Sequence, residues 1–256
     1  MNETGIAIIL PALCAGLLVL LTHVPLGMQV LARGIVFIDL AIAQIAALGV
    51  IVAGLFDPEP TGWLVQVAAL AAAVLGALLL TWTERRWPEV QEALIGAVFV
   101  LAATGGLLLL AHHPHGGEHL RDLLAGQILW VGYAQLLVPA VGTLVILVAW
   151  WRRGARLGRA GFYLLFALAV TISVQLVGVY LVFASLIVPA LGVRRHARRR
   201  RLWLAYAVGA GGYALGLGVS TLFDLPSGAL VVWCLALLAI LAQALGPRPG
   251  APSPSP

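Results

Sequence analysis

Lysine is absent from this sequence; all fifteen positive side chains among its 256 residues are arginine. Without lysine there can be no Walker A phosphate loop and no Schiff-base nucleophile. Any ATP hydrolysis that drives the protein must therefore be done by another chain. Charge is scarce overall, at 10% of residues, where soluble domains carry roughly 25%. Cysteine is limited to Cys14 and Cys234. Both lie inside apolar runs, far from a metal-type spacing and with no reason to pair, and read as small lipid- or protein-facing side chains. Met1-Asn2-Glu3-Thr4 lacks the basic region of a cleaved signal peptide, so the first apolar run is expected to remain as a span.

What is present is hydrophobic: 62% of residues, with a mean hydropathy of +1.03. At roughly 20 residues per membrane helix, that content supplies about eight spans. Apolar stretches run from Gly5 to Leu21, Gly34 to Phe56, Gly62 to Thr81, Ala93 to Ala111, Gly132 to Trp151, Phe162 to Val193, Leu202 to Leu222 and Ala229 to Leu245. The stretch from Phe162 to Val193 is too long for one perpendicular helix and short for two. A helix pair with a turn near Gln175-Leu176-Val177-Gly178 fits it. The fold class expected is an all-α polytopic membrane protein of about eight transmembrane helices plus one short re-entrant-type helix. Residues 1–246 form the membrane domain, and residues 247–256 form a Pro/Ser-rich tail expected to be disordered.

The net charge of +5 does not point to nucleic acid, because the arginines sit in short clusters between apolar runs rather than on one folded face. The clusters are Arg85-Arg86, Arg152 to Arg159, and Arg194, Arg195 and Arg198 to Arg201. Short cytoplasmic loops carry the excess of basic residues. All three clusters can be cytoplasmic only if the long run crosses and returns. The opposite loops, Asp57 to Pro60, His112 to His119 and Asp224 to Ser227, carry no arginine and are expected outside. This places the N-terminus outside and the C-terminus, with its tail, in the cytoplasm.

Five stretches in colinear order resemble one family. Pro25-Leu26-Gly27 through Arg33-Gly34 to Asp39, ending at Gln44 to Gly49, is similar to the second-span region of the ABC permeases that import zinc, manganese or iron (the ABC-3 family). Glu92-Ala93-Leu94-Ile95-Gly96, Leu124 to Leu129, Val177 to Val182 running into Ser185 to Ala190, and Asp224-Leu225-Pro226-Ser227-Gly228 continue the series. The resemblance implies a type II ABC importer-like permease in a bacterial plasma membrane. It implies a homodimer around a central pathway, served by an external metal-binding protein and by cytoplasmic ABC ATPase subunits. It also implies that Pro189, Ala190, Leu191, Gly192, Val193, Arg194 and Arg195 belong to the segment that docks on the ATPase. On this resemblance no permanently bound cofactor is expected, and the transported divalent metal is expected as cargo, zinc first, manganese or iron next. The chain departs from the family in the second span. Where Gly-Asp and, four residues on, His are usual, it has Asp39-Leu40 and Gln44.

His112, His113, His115, Glu118 and His119 gather imidazoles and a carboxylate in one outward loop, with Gly116-Gly117 to let them converge. Such groups suit first-row divalent ions, and a solvated polar loop is the alternative. Asp39 lies just inside the second span, where an ionisable group suggests function, here as a metal-binding group of the transport pathway. A helix-start charge, or a partner for Arg33, is the alternative. Gln44 and Gln175 are intramembrane amides that either line a polar path or bond across helices. Asp224 and Ser227 are expected to cap the last helix, and His23 and His196 to flank cytoplasmic turns. Gly212, Gly216 and Ser220 form a small-residue stripe expected to pack within the subunit. Two other classes remain open: an ATP-independent metal carrier or channel, and an intramembrane hydrolase, the latter opposed by the lack of a His-Glu-x-x-His pattern.

Overall fold

The computed structural model describes residues 3–56, 62–110, 128–153 and 158–246, and among these it is all α. The helices are α1 (Glu3–Arg33), α2 (Ile38–Phe56), α3 (Gly62–Arg86), α4 (Gln91–Leu110), α5 (Tyr133–Arg153), α6 (Arg159–Val177), α7 (Val179–Gly192), α8 (Arg198–Phe223) and α9 (Ser227–Ala244). Seven are long and apolar enough to cross a membrane, and the apolar parts of α2 and α7 are shorter. The histidine-rich loop, the loop at residues 57–61, Arg156 and the tail at residues 247–256 lie outside the described residues.

The long run from Phe162 to Val193 is divided where the sequence suggested. Gly178, at φ 82°, ends α6 and starts α7; a residue with Cβ would be strained there. The 14 residues of α7 span about 21 Å at 1.5 Å each, short of the roughly 30 Å of hydrocarbon. This short helix lies at the centre, packed on α1, α9, α8 and α6 and touching α2. Around it stand two groups: α2 with α3 and α4, α3 in turn on α6, and α1 with α8 and α9. Helix α5 leans on α1 and α6, with much of its surface exposed.

The first helix differs from expectation. It does not end at Leu21 but continues to Arg33, and His23 is fully buried rather than beside a turn. Thr22 Oγ1 donates to the Val19 carbonyl at 3.2 Å, and His23 Nδ1 lies 3.0 Å from the same oxygen. These two polar side chains bond back to their own helix, so they do not break it. Pro25 lacks the N–H that would bond to the Leu21 carbonyl. That carbonyl instead accepts from the Tyr206 hydroxyl on α8 at 3.1 Å. A neighbouring helix thus satisfies the group the proline frees.

The small-residue stripe of α8 packs inside the subunit. A Cβ at Gly212 would lie 2.5 Å from Leu235, and one at Gly216 would lie 2.5 Å from Val231, both on α9. At the other end of α8, Asp224 adopts the left-handed conformation that closes the helix. The N-cap residue of α9 is Pro226, with no side-chain cap bond. Asp224 and Ser227 therefore do not cap the last helix; the turn is fixed by Ser220 Oγ donating to the Leu225 carbonyl at 2.6 Å.

Candidate functional site

A cleft of about 670 Å³ runs between α2, α4, α7 and α9. Leu40 and Gln44 come to its wall from α2, Phe99 and Leu107 from α4, Tyr180, Phe183 and Val188 from α7, and Trp233 from α9. Leu40 and Gln44 are four residues apart, so they share one helical face. The cleft is mostly apolar; Gln44, Tyr180 and Trp233 are the lining residues whose side chains carry polar atoms. A second cavity of about 510 Å³ adjoins it, sharing Tyr180, Ala229 and Val232. Trp130, Asp224 and Ser227 line this second cavity. It lies at the end of α8 opposite the Arg198 cluster. Asp224 thus lines the second cavity and Gln44 the first, with Tyr180, Ala229 and Val232 on the wall of both.

Asp39 lines neither cavity. It is 1% exposed, and neither carboxylate oxygen finds a hydrogen-bond partner. One residue of offset is about 100° round a helix, enough to turn Asp39 into the interior while Leu40 faces the cleft. Asp39 sits in the first turn of α2, where the helix dipole favours a negative charge. Glu92 lies at the same helix start; its Oε1 accepts the Phe37 backbone N–H at 3.2 Å, so α4 is tied to the beginning of α2. Arg33 is not drawn to Asp39. Its guanidinium stacks 3.9 Å from the centre of the Phe162 ring. Among the described residues, no three of His, Cys, Asp and Glu gather into a metal-holding group.

Gln175 is exposed near the end of α6 and is absent from the lining of the cleft. In the segment from Pro189 to Arg195, Pro189, Ala190, Gly192 and Val193 are buried, whereas Leu191, Arg194 and Arg195 are exposed. Gly192 packs on α9, where an added Cβ would come 2.7 Å from Ala239. Within this segment, the exposed side chains are therefore those of Leu191, Arg194 and Arg195.

A family model described as the ABC 3 transport family matches residues 5–153 and 155–246. The chain belongs to the ABC 3 transport family. It is the multi-pass permease subunit of an ABC transporter and not itself an ATPase, as the missing lysine required. Family membership sets aside the ATP-independent carrier and the intramembrane hydrolase. The high-affinity zinc uptake system membrane protein ZnuB of Haemophilus influenzae is 23% identical over 256 residues, covering 92% of this chain and 96% of that one. The manganese transport system membrane protein MntC of Halalkalibacterium halodurans is 25% identical over 260 residues, with 93% and 87% covered. PsaBC from Streptococcus pneumoniae, solved in complex with Fab, superposes with a TM-score of 0.74 at 19% identity, over 92% of this chain and 91% of that one.

Reading the sequence missed two features of this permease. Leu40 faces the cleft, which the i to i+4 spacing from Gln44 encodes. Gln91 is the hub of a buried network: its Nε2 donates to the Leu80 carbonyl at 3.0 Å and to the Tyr163 hydroxyl at 3.2 Å, and its Oε1 accepts from Thr83 at 3.0 Å. Nothing in the local sequence marks Gln91, because its partners come from two other helices, Leu80 and Thr83 from α3 and Tyr163 from α6.

Proposed function

We propose that this permease imports a divalent transition metal ion, zinc first and manganese or iron next, as one of two copies around a shared pathway. The observation that carries the reading is the pair of neighbouring cavities, one lined by Asp224 and the other by Gln44. A carboxylate at the mouth attracts a dication, and a neutral amide deeper in holds it weakly enough to release it. The zinc and manganese systems to which two relatives belong support the choice of ion. An external binding protein delivers the metal, and His112, His113, His115, Glu118 and His119, on the side expected to face it, capture metal when it is scarce. Asp39, turned away from the cleft, acts at the start of α2 together with Glu92. The exposed Leu191, Arg194 and Arg195 meet the cytoplasmic ATPase. The membrane is a bacterial plasma membrane, with the C-terminus inside.

The test is ATPase stimulation in the reconstituted complex of permease, ATPase and binding protein, ion by ion. Zn²⁺ should stimulate hydrolysis more than Mn²⁺ or Fe²⁺, and an order led by manganese or iron would reassign the cargo. Hydrolysis indifferent to every metal would overturn the reading. Orientation is tested by labelling single cysteines from each side, with Cys14 and Cys234 replaced. A cysteine at 115 should label from outside, and cysteines at 156 and 198 from the cytoplasm.

A further inference from the structure

On the side of α7 turned from the cleft, two buried hydroxyls meet. Ser185 on α7 and Tyr213 on α8 are both fully enclosed, and their oxygens lie 2.8 Å apart. Ser185 Oγ donates to the Leu181 carbonyl of its own helix at 2.6 Å. A serine hydroxyl has one proton to give, so the bond between the two helices runs from the Tyr213 O–H to Ser185 Oγ. The first helix makes room for the ring, because a Cβ on Gly16 would collide with it. Ser185 follows Ala184 on the helix, about 100° round, and does not line the cleft as Ala184 does.

This bond falls where α7 is weakest. Pro189, four residues after Ser185, has no N–H for the Ser185 carbonyl, so the turn between them lacks one rung of the helix. Proline is also a usual place for a helix to kink. On one side of this turn α7 carries Tyr180 and Phe183 on the cleft wall, and on the other it runs on to the exposed Leu191, Arg194 and Arg195. A displacement applied at Leu191 reaches the cleft only if the turn between them does not bend. We propose that Tyr213 is a positioning residue for coupling: its hydroxyl braces the turn from Ser185 to Pro189, so that α7 passes motion from the ATPase side to the cleft as one rod. This role rests on the reading of the chain as a metal importer that meets its ATPase at Leu191, Arg194 and Arg195.

The complete complex of permease, ATPase and external binding protein is reconstituted in vesicles, and the metal taken up per ATP hydrolysed is measured with zinc, manganese and iron in turn. Loss of one hydrogen bond between neutral groups shifts an equilibrium by about two- to tenfold. Tyr213→Phe keeps the ring and removes only the hydroxyl, so it should lower that ratio by about two- to tenfold with the half-saturating metal concentration unchanged. Ser185→Ala acts from the other helix and serves alone if Tyr213→Phe does not fold. It should lower the ratio alike, and the double variant should go no lower. Tyr206→Phe is the control, because it removes a bond of the same kind, to the Leu21 carbonyl at 3.1 Å, away from the turn. It should lower the thermal midpoint and leave the ratio as in wild type. Equal ratios for wild type, Tyr213→Phe and Ser185→Ala would overturn the role, as would an equal loss in Tyr206→Phe, the mark of general loosening. A raised half-saturating concentration at an unchanged ratio would place Tyr213 with the cleft wall and overturn it too. A wild type that takes up none of the three metals would overturn the metal-import reading and this role together, so the wild-type sample tells the two failures apart.

Discussion

Replacing Gln44 with leucine is expected to lower metal uptake about ten- to a hundredfold at equal protein level. The cleft wall offers few polar groups, and this amide is the one that α2 supplies. An interaction between a neutral polar group and a charge is worth about 1.5–3 kcal/mol, and each 1.4 kcal/mol is about tenfold. Leucine is close in volume and belongs among the apolar neighbours of the site, so assembly should survive. Gln44→His should keep transport, because an imidazole is a good ligand for the same ions. Adding Leu40→Asp to Gln44→His places a carboxylate and an imidazole on one helical face and should bind metal more tightly than wild type. Asp39→Asn, by contrast, should leave uptake close to wild type, because its side chain faces the interior. Uptake within twofold of wild type for Gln44→Leu would remove the amide from the pathway.

These expectations differ from residue to residue because the sequence is legible at some levels and silent at others. Span positions follow from apolar run length, and the break inside the long run could be read because only glycine suits the geometry at position 178. The same reasoning failed at Thr22-His23-Val24-Pro25. There a polar pair followed by proline looks like a turn, yet each polar group finds a carbonyl in its own helix and the proline's orphaned carbonyl finds Tyr206, 185 residues away. No local pattern contains that partner. For Asp39 the residue type pointed to function, but a single position of offset on α2 determines which way it faces. Periodicity alone could have shown that Leu40, and not Asp39, accompanies Gln44. The segment from Pro189 to Arg195 is mixed in the same way. Its chemistry was apparent in the arginines, but packing against α9 withdraws Gly192 and its buried neighbours from any partner.

The packing of the first helix leads to the prediction with the largest effect on the fold itself. A Cβ built on Gly27 would sit only 1.9 Å from the backbone carbonyl oxygen of Leu186 and 2.8 Å from its carbon. Both are main-chain atoms of α7, so no rotamer change can make room and the two helices must separate. Overpacking of this kind typically costs about 1–3 kcal/mol, and occasionally more. Gly27→Ala should therefore lower the thermal midpoint, and Gly27→Leu should prevent accumulation of folded protein. The damage should also reach the cleft, because α7 carries Tyr180, Phe183 and Val188 on its wall. A displaced α7 widens the path on that side, so the alanine variant should transport poorly even at temperatures where it remains folded. Gly96→Ala is the control. Nothing lies within 4 Å of a Cβ there, and alanine is favoured over glycine in a helix by about 1 kcal/mol, so this variant should be at least as stable as wild type. Equal midpoints for Gly27→Ala and Gly96→Ala would mean that α1 and α7 do not cross as closely as the structure places them.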